Sequence, residues 1–372
     1  MKRTRLLLVL LFITLYSFGQ DCNLQKNITG DTSICSGQSA VITLENSDLS
    51  VSYQLRDEAN NPIGSPVIGD GLDITFTVNP TSTTIYNIIA GLCPDAYTDT
   101  VEIAITPTPD VVANPLSQAI CSGSSTNIAL NSTVEGTEFS WTVVQTNVSG
   151  ASNGNGLSII QALTATGSSV GTAVYTITPS LNGCFGNSIV VTITVNPIPV
   201  AIATPSSQTI CSGGTTGIAL SSAVAGTTFS WTVVQTNVSG ASNSSGSNIA
   251  QVLTATSSVA GTAVYTITPS ANGCPGNLIV VTITVNPRPI AIATPSSQTI
   301  CSGGTTGIAL SSAVAGTTFS WTVVQTNVSG ASNSSGSNIA QVLTATSSVA
   351  GTAVYTITPS ANGCPGNLIV VT

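Results

Sequence analysis

The sequence predicts an all-β chain of tandem antiparallel β-sandwich domains arranged in a rod. First, a segment that opens with ICSG and closes with an NGC turn recurs with a period of 90 residues. Second, apolar and polar residues alternate within each segment, which is the period of a β-strand. Third, runs rich in Gly, Ser and Asn separate these stretches, and no stretch shows a helical stripe with caps. Short strands separated by turn signals are typical of a sandwich.

The repeats set the expected domain organisation. We expect a signal peptide at 1–20, a divergent domain at 21–108, and three further domains at 109–198, 199–288 and 289–372. Pairs of prolines such as Pro197 and Pro199 lie at the predicted joints and favour short, semi-rigid connections. Thr372 aligns with Thr282 inside the last predicted strand. We therefore expect either that the natural chain continues or that the fourth domain is less stable than the third.

Five strands are predicted in the third repeat from the alternation of apolar residues. In chain order their inward residues are Ile218 and Leu220; Phe229, Trp231 and Val233; Ile249 and Leu253; Ala263, Tyr265 and Ile267; and Ile279, Val281, Ile283 and Val285. The third strand is the weakest prediction, because Gln251 occupies an inward position between its two apolar residues.

Large aromatic residues recur at the same two places in each of the last three repeats. They are Trp141, Trp231 and Trp321, and Tyr175, Tyr265 and Tyr355. They could serve as platforms on which a sugar stacks. We favour a role in the core, because both positions have the inward parity of strands that also carry Ile and Val.

The amino terminus predicts secretion. Lys2, Arg3 and Arg5 precede the apolar run 6–18, which is the pattern of a signal peptide. That run is too short for a membrane-spanning helix, which needs about 20 apolar residues. We therefore expect an extracellular protein without a transmembrane segment in this chain, and its attachment to a cell surface stays open.

The cysteines predict disulfides, since a secreted protein meets an oxidising environment. Eight of the nine form a pair in each repeat: Cys35 and Cys93, Cys121 and Cys184, Cys211 and Cys274, and Cys301 and Cys364. We expect each pair to close a disulfide within its own domain. Two cysteines per repeat, with no histidine and no CxxC spacing, do not suit zinc. Cys22 is left over, and its role is open.

Charge is confined to the first part of the chain. All 14 acidic residues lie between Asp21 and Glu138, the chain has no histidine, and beyond Glu138 the only charged side chain is Arg288. Nucleic-acid binding by a basic patch is thereby excluded, and the last repeats have no general base, general acid or metal ligand. We expect no catalytic residue and no cofactor. Carboxylates of the first domain could bind a hard cation, but no loop has DxDxDG spacing, so solvated surface charge is favoured.

The ICSG opening, the FSW strand, the AVYTITPS strand and the NGC turn resemble the PKD-like and immunoglobulin-like repeats of large secreted surface proteins of the Bacteroidota. The resemblance implies Ig-like/PKD-like sandwiches, and many such proteins are adhesin-like. One departure concerns calcium. Where typical PKD domains have an aspartate-bearing WDFGDG-like segment, this chain has SWTVVQTNVSG, which removes the basis for a calcium site there.

The sequence favours a structural function. Residues 291–372 are identical to residues 201–282, and such a duplication lengthens a rod without creating a new site. We expect a non-catalytic secreted or cell-surface spacer that presents another module. One alternative is an adhesin that binds a surface glycan or protein through its loops or its Thr/Ser-rich strand faces. Another is the accessory region of a secreted hydrolase. Lateral self-association is also expected, since the strands carry few charges to prevent edge pairing.

Overall fold

The computed structural model describes residues 26–91 and 99–372. The predicted signal peptide, Cys22 and Cys93 lie outside these ranges. The regular elements of the described ranges are β-strands, and they form four sandwiches that we number domains 1 to 4 in chain order. Each sandwich has its own buried hydrophobic cluster. The chain therefore has the predicted tandem Ig-like β-sandwich fold.

The strands of the first two domains are bounded as follows. Domain 1 contains β1 (Ile28–Gly30), β2 (Ser33–Cys35), β3 (Ala40–Leu44), β4 (Ser52–Asp57), β5 (Pro62–Ile68), β6 (Ile74–Val78), β7 (Thr84–Ala90) and β8 (Val101–Thr106). Domain 2 contains β9 (Val112–Asn114), β10 (Ser117–Cys121), β11 (Ile128–Asn131), β12 (Glu138–Thr146), β13 (Val148–Ser149), β14 (Gly154–Asn155), β15 (Ser158–Ile159), β16 (Thr164–Ala165), β17 (Gly171–Leu181), β18 (Cys184–Phe185) and β19 (Ile189–Asn196).

The strands of the last two domains follow the same order. Domain 3 contains β20 (Ile202–Thr204), β21 (Ser207–Cys211), β22 (Gly214–Thr215), β23 (Ile218–Ser221), β24 (Thr228–Thr236), β25 (Val238–Ser239), β26 (Ser244–Ser245), β27 (Asn248–Ile249), β28 (Val252–Ala255), β29 (Gly261–Ala271), β30 (Cys274–Pro275) and β31 (Ile279–Asn286). Domain 4 contains β32 (Ile292–Thr294), β33 (Gly304–Thr305), β34 (Ile308–Ser311), β35 (Thr318–Thr326), β36 (Val328–Ser329), β37 (Ser334–Ser335), β38 (Asn338–Ile339), β39 (Val342–Ala345), β40 (Thr352–Ala361), β41 (Cys364–Pro365) and β42 (Ile369–Val371).

One large sheet dominates each repeat. In domain 3 its strand order is β21-β31-β29-β24-β26, and smaller sheets, β20-β23-β27 and β22-β28-β25, lie opposite. The pairings are antiparallel except that β21 runs parallel to β31. Domains 1 and 2 contain the corresponding parallel pairs, β2 with β8 and β10 with β19. This parallel pair sets the position of the first cysteine of the repeat, because Cys211 ends β21.

The core of domain 3 forms where the predicted inward faces meet. Buried and solvent-facing residues alternate along β24 and β29, as the period of two requires. Trp231 and Tyr265 lie in this core with exposed fractions of 5% and 0%, and their counterparts in domains 2 and 4 are equally buried. Val233, at the edge of the cluster, is only partly buried.

The structure of domain 3 adds six strands that the alternation did not predict, β20, β21, β22, β25, β26 and β30, and divides one that it did predict. The predicted strand around Ile249 and Leu253 is interrupted at Gln251, so that β27 and β28 belong to different sheets. The added strands are two to five residues long, and β21, the longest of them, carries only one strongly apolar residue, Ile210. Hydrogen bonds to neighbouring strands stabilise them, such as those of β20 with β23 and of β21 with β31. The local sequence of a strand does not indicate which strand it pairs with.

Domain 4 has a buried cluster that corresponds to that of domain 3, with Trp321 and Tyr355 at the places of Trp231 and Tyr265.

The buried indole provides a test of the core. Replacing Trp231 by Ala should lower the free energy of unfolding of domain 3 by about 3–5 kcal/mol, because the cavity cannot fully collapse. Hydrogen exchange of the β24 and β29 amides in increasing denaturant would measure this loss. The matched control is Val234→Ala on the same strand, whose side chain is 69% exposed, and we expect it to change stability by less than about 0.5 kcal/mol. Equal effects of the two substitutions would contradict the assignment.

Candidate functional site: the joints between domains

The disulfides connect neighbouring domains. Three bridges lie in the described residues: Cys35–Cys184, Cys121–Cys274 and Cys211–Cys364. In each, the first cysteine of one domain bonds to the second cysteine of the following domain. The Cα atoms are 5.5–5.6 Å apart, which is ordinary for a disulfide. The prediction that Cys35 pairs with Cys93, Cys121 with Cys184, Cys211 with Cys274 and Cys301 with Cys364 is therefore wrong.

Distance explains why the two cysteines of one repeat do not bond. In domain 3, Cys211 is level with Asn286, where the chain leaves the domain. The neighbouring strand β29 starts beside Val285 and then runs the length of the sheet before Cys274 pairs with Ala271. Ten residues of strand separate those levels, or roughly 33 Å at 3.3 Å per residue. A disulfide needs Cα atoms within about 7 Å, so this pair cannot form within the domain.

Two of the eight cysteines predicted to form disulfides are not in a bridge between described residues. Cys301 is exposed and forms no disulfide with any described residue, because its predicted partner Cys364 is bonded to Cys211. Cys93, the predicted partner of Cys35, lies outside the described residues, and Cys35 is bonded to Cys184 in domain 2.

Each domain therefore has two distinct ends. We call the end where the chain enters the domain its entry end, and the opposite end its exit end. The entry end of domain 3 carries Cys274 and the nearby Gly276, which lies against the joint residue Pro199. The exit end carries Cys211 beside Asn286. A bridge from exit end to entry end thus spans every joint whose cysteines are described.

A glycine makes the close approach at each joint possible. A Cβ atom on Gly276 would lie 1.9 Å from the carbonyl oxygen of Pro199, closer than any real contact. The corresponding glycines meet the same obstacle at the other two joints: Gly186 against Pro109 and Gly366 against Pro289. Only glycine lets the backbone of the entry end pack against the joint.

Arg288 adds polar contacts at the joint between domains 3 and 4. Its Nε donates to the carbonyl oxygen of Ser212 at 2.9 Å, and its Nη1 donates to the carbonyl oxygen of Pro365 at 3.0 Å. The Asn286 Nδ2 donates to the carbonyl oxygen of Asn362 at 3.3 Å. The only charged side chain beyond Glu138 thus holds the exit end of one domain against the entry end of the next.

A hydrogen-bonded network fixes the core aromatics. In domain 3 the Trp231 Nε1 and the Gln251 Nε2 both donate to the carbonyl oxygen of Ser242, at 3.3 and 2.9 Å. The Tyr265 hydroxyl donates to the Gln251 Oε1 at 2.7 Å. Domains 2 and 4 repeat this network with Gln161 and Gln341. These aromatics therefore fill the core, and Gln251 occupies its inward position because it satisfies their polar atoms.

The repeats match a known family. The model of the PKD-like domain matches residues 118–199, 208–289 and 298–372, well over half of the chain. The chain belongs to the PKD-like domain family. No curated protein matches the chain.

Several solved structures are also similar to this chain. Protocadherin gammaB7 EC3-6 is 11% identical, over 91% of this chain and 97% of that chain, with a TM-score of 0.30. Sidekick-1 immunoglobulin domains 1-5 are 12% identical over 93% and 80%, with a TM-score of 0.29. Dpr2 Ig1-Ig2 in complex with DIP-Theta Ig1-Ig3 is 9% identical over 69% and 96%, with a TM-score of 0.32. Similarity at this level concerns the sandwich architecture at most.

The outer face of the large sheet in each PKD-like domain is rich in threonine. In domain 3, Thr209, Thr284, Thr262 and Thr236 stand side by side on four adjacent strands. Each is exposed or half-buried, and the face carries no charged residue. Adjacent strands lie about 4.8 Å apart, so the row presents hydroxyl and methyl groups at that spacing. Domain 2 has the same row, with Ala119 in place of the first threonine.

Several carboxylates of the amino-terminal region have structural partners. Lys26 and Asp48 form an ion pair at 3.0 Å, and the Tyr53 hydroxyl donates to the same carboxylate. A hydrogen bond from Ser132 lowers the pKa of Asp110. Within 26–91 and 99–372, no three His, Cys, Asp or Glu residues cluster in a way that could hold a metal ion. Those ranges also contain no helix that is both long and apolar enough to cross a membrane.

A single cut in the main chain should leave the oxidised protein in one piece. A protease site inserted after Asn187, in an exposed turn between Cys184 and Cys211, lies inside the Cys121–Cys274 loop alone. Cleavage should therefore leave a full-length band on a non-reducing gel and give fragments of about half that length after reduction. In the Cys121→Ser/Cys274→Ser variant the same cut should give the half-length fragments without reduction. Half-length fragments from the parent without reduction would show that the bridges close within domains.

The buried tyrosines predict a loss of stability in alkali. Burial raises the pKa of Tyr175 and Tyr265 to about 12, whereas an unfolded tyrosine ionises near pH 10. Between these values the folded state holds protons that the unfolded state has lost, so stability is constant below pH 10 and falls as the pH rises toward 12. Denaturant midpoints measured from pH 9 to 12 should show this fall. The Tyr175→Phe/Tyr265→Phe variant should have a shallower slope, and an unchanged slope would contradict the assignment.

Proposed function

We propose that this protein is a non-catalytic spacer, secreted or attached to a cell surface, that holds another module at a defined distance. The observation that carries the proposal is the bridge from exit end to entry end at successive joints. A covalent link, a glycine contact and the Arg288 hydrogen bonds restrict how one domain can turn against the next. A spacer needs this restriction, whereas independent binding modules do not.

The chemistry of domains 3 and 4 supports the same proposal. Beyond Glu138 the chain has no aspartate, glutamate, lysine or histidine. The serine and threonine hydroxyl groups of these two domains therefore have no such side chain beside them to act as a base. Three disulfides and the PKD-like fold also suggest an extracellular location, where such bridges persist.

A deletion of one repeat tests the spacer. Because residues 291–372 duplicate residues 201–282, deleting 201–290 joins domain 2 to an identical sequence and recreates the same joint. Small-angle X-ray scattering should show the maximum dimension shortened by one domain, or roughly 35 Å from the 11-residue strand β29. The matched control is Val234→Ala, which should leave the dimension unchanged. If the deletion leaves the maximum dimension unchanged, or broadens the distribution to that of a flexible chain, the proposal fails.

A second candidate is an adhesin that binds glycans, and the threonine face favours it. Its rows of hydroxyl and methyl groups could contact a regularly repeating polysaccharide without any charge. A glycan array probed with the parent and with Thr232→Val/Thr266→Val, two paired positions of that face, tests this candidate. Valine keeps the shape and strand propensity but removes the hydroxyl groups. Binding by the parent that the variant loses would support adhesion, and an array without signal for the parent would reject it.

A further inference from the structure

The disulfides create a short covalent route through the protein. From Cys35 the route crosses to Cys184 in domain 2, follows the main chain to Cys211 in domain 3, and crosses to Cys364 in domain 4. Only 27 residues (211 minus 184) of main chain lie on it. The remaining residues between Cys35 and Cys364 lie in closed loops whose cysteines are 149 and 153 positions apart. We call this route the tension path.

The main chain of the tension path is already extended in the folded protein. It starts at the entry end of domain 2, passes along β18 and β19 to the exit end, crosses the joint, and follows β20 and β21 to the exit end of domain 3. A strand rises about 3.3 Å per residue, and a fully stretched chain gains at most about 3.6 Å. The segment therefore has little length to release.

The same pattern continues into the outer domains. Before Cys35, the chain crosses domain 1 along β1 and β2, and after Cys364 it enters β42 of domain 4. In each domain the main chain that bears the force, on the tension path or beyond its two ends, follows strands at the start or the end of the repeat. The hairpins that form most of each core, such as β24 with β29, lie inside the closed loops.

We propose that the Cys35–Cys184 and Cys211–Cys364 disulfides make the oxidised protein inextensible under tension applied to its two ends. An unfolded domain in a tandem protein normally lengthens the chain by its own sequence. Here the force passes around the loops, so that unfolding a domain adds almost no length. The inference deepens the proposed spacer and rests on it only for the origin of the tension. Whether the inference is correct depends only on the covalent connectivity of the tension path.

The middle bridge has a different role. Cys121–Cys274 is not on the tension path, and the path keeps its length when this bridge is removed. When Cys211–Cys364 is removed, the shortest route runs through the middle bridge. It then contains 63 residues from Cys184 back to Cys121 and 90 residues from Cys274 to Cys364 instead of 27. The two bridges close loops of the same size, 153 residues, so their removal should affect stability similarly.

Single-molecule force spectroscopy on the full chain, held at both ends with free thiols alkylated, tests the inference. The oxidised parent should stretch without any contour-length step above about 50 Å, because the path has so little slack. After reduction the 149-residue and 153-residue loops should open, with a total gain of ~1,000 Å at about 3.5 Å per residue.

Two double variants make the test specific. Cys211→Ser/Cys364→Ser should gain ~450 Å when oxidised, as about 125 further residues enter the path. Cys121→Ser/Cys274→Ser should behave like the parent. Equal lengthening of both variants, or repeated steps in the oxidised parent, would overturn the inference. The scattering experiment on the repeat deletion tests the spacer without applying force. Its failure would reject the spacer, whereas failure of the force experiment would reject only the inextensible path.

Discussion

The parallel pairing of the first-cysteine strand with the last strand of the same repeat determines how this protein is connected. In domain 3, β21 lies beside β31 with Cys211 level with Asn286. This register places the sulfur at the exit end, beside the point where the chain leaves for the next domain. An antiparallel or shifted pairing would place the cysteine elsewhere on the sheet, out of reach of the following domain. The inter-domain bridges and the tension path all depend on this one pairing.

In the repeats, uncharged polar side chains provide the hydrogen bonds and the surface solvation that charged side chains provide in most proteins. The Trp–Gln–Tyr network joins core aromatics to the backbone through neutral hydrogen bonds, and burial makes such bonds costly to leave unmade. On the outside, threonine hydroxyls interact with water in place of lysine and glutamate. Arg288 is the exception, and both of its bonds reach backbone oxygens rather than a carboxylate. The last three domains thus fold almost without electrostatic pairing.

The sequence predicted the fold well because the fold depends on local alternation and repeats. The inward positions of β24, β29 and β31, and the burial of Trp231 and Tyr265, follow from a period of two that the residues display directly. The disulfide partners could not be predicted in this way, because every repeat offers the same two cysteines. Whether a cysteine pairs within its own domain or with the next domain depends on where β21 lies in the sheet. That strand is hard to predict, because its five residues contain only one strongly apolar side chain. Its parallel partner lies far away in sequence.

The direction of the bridges constrains the order in which the protein matures. Each bridge joins an exit-end cysteine to an entry-end cysteine that lies about 150 positions later, such as Cys211 to Cys364. An exit-end thiol therefore cannot form its native bridge until the following sandwich has been synthesised and its entry turn has formed. In a growing chain, the exit-end cysteine of the newest completed domain does not yet have its native partner. The native bridges thus become possible in order from the amino terminus toward the carboxyl terminus, each one domain behind synthesis.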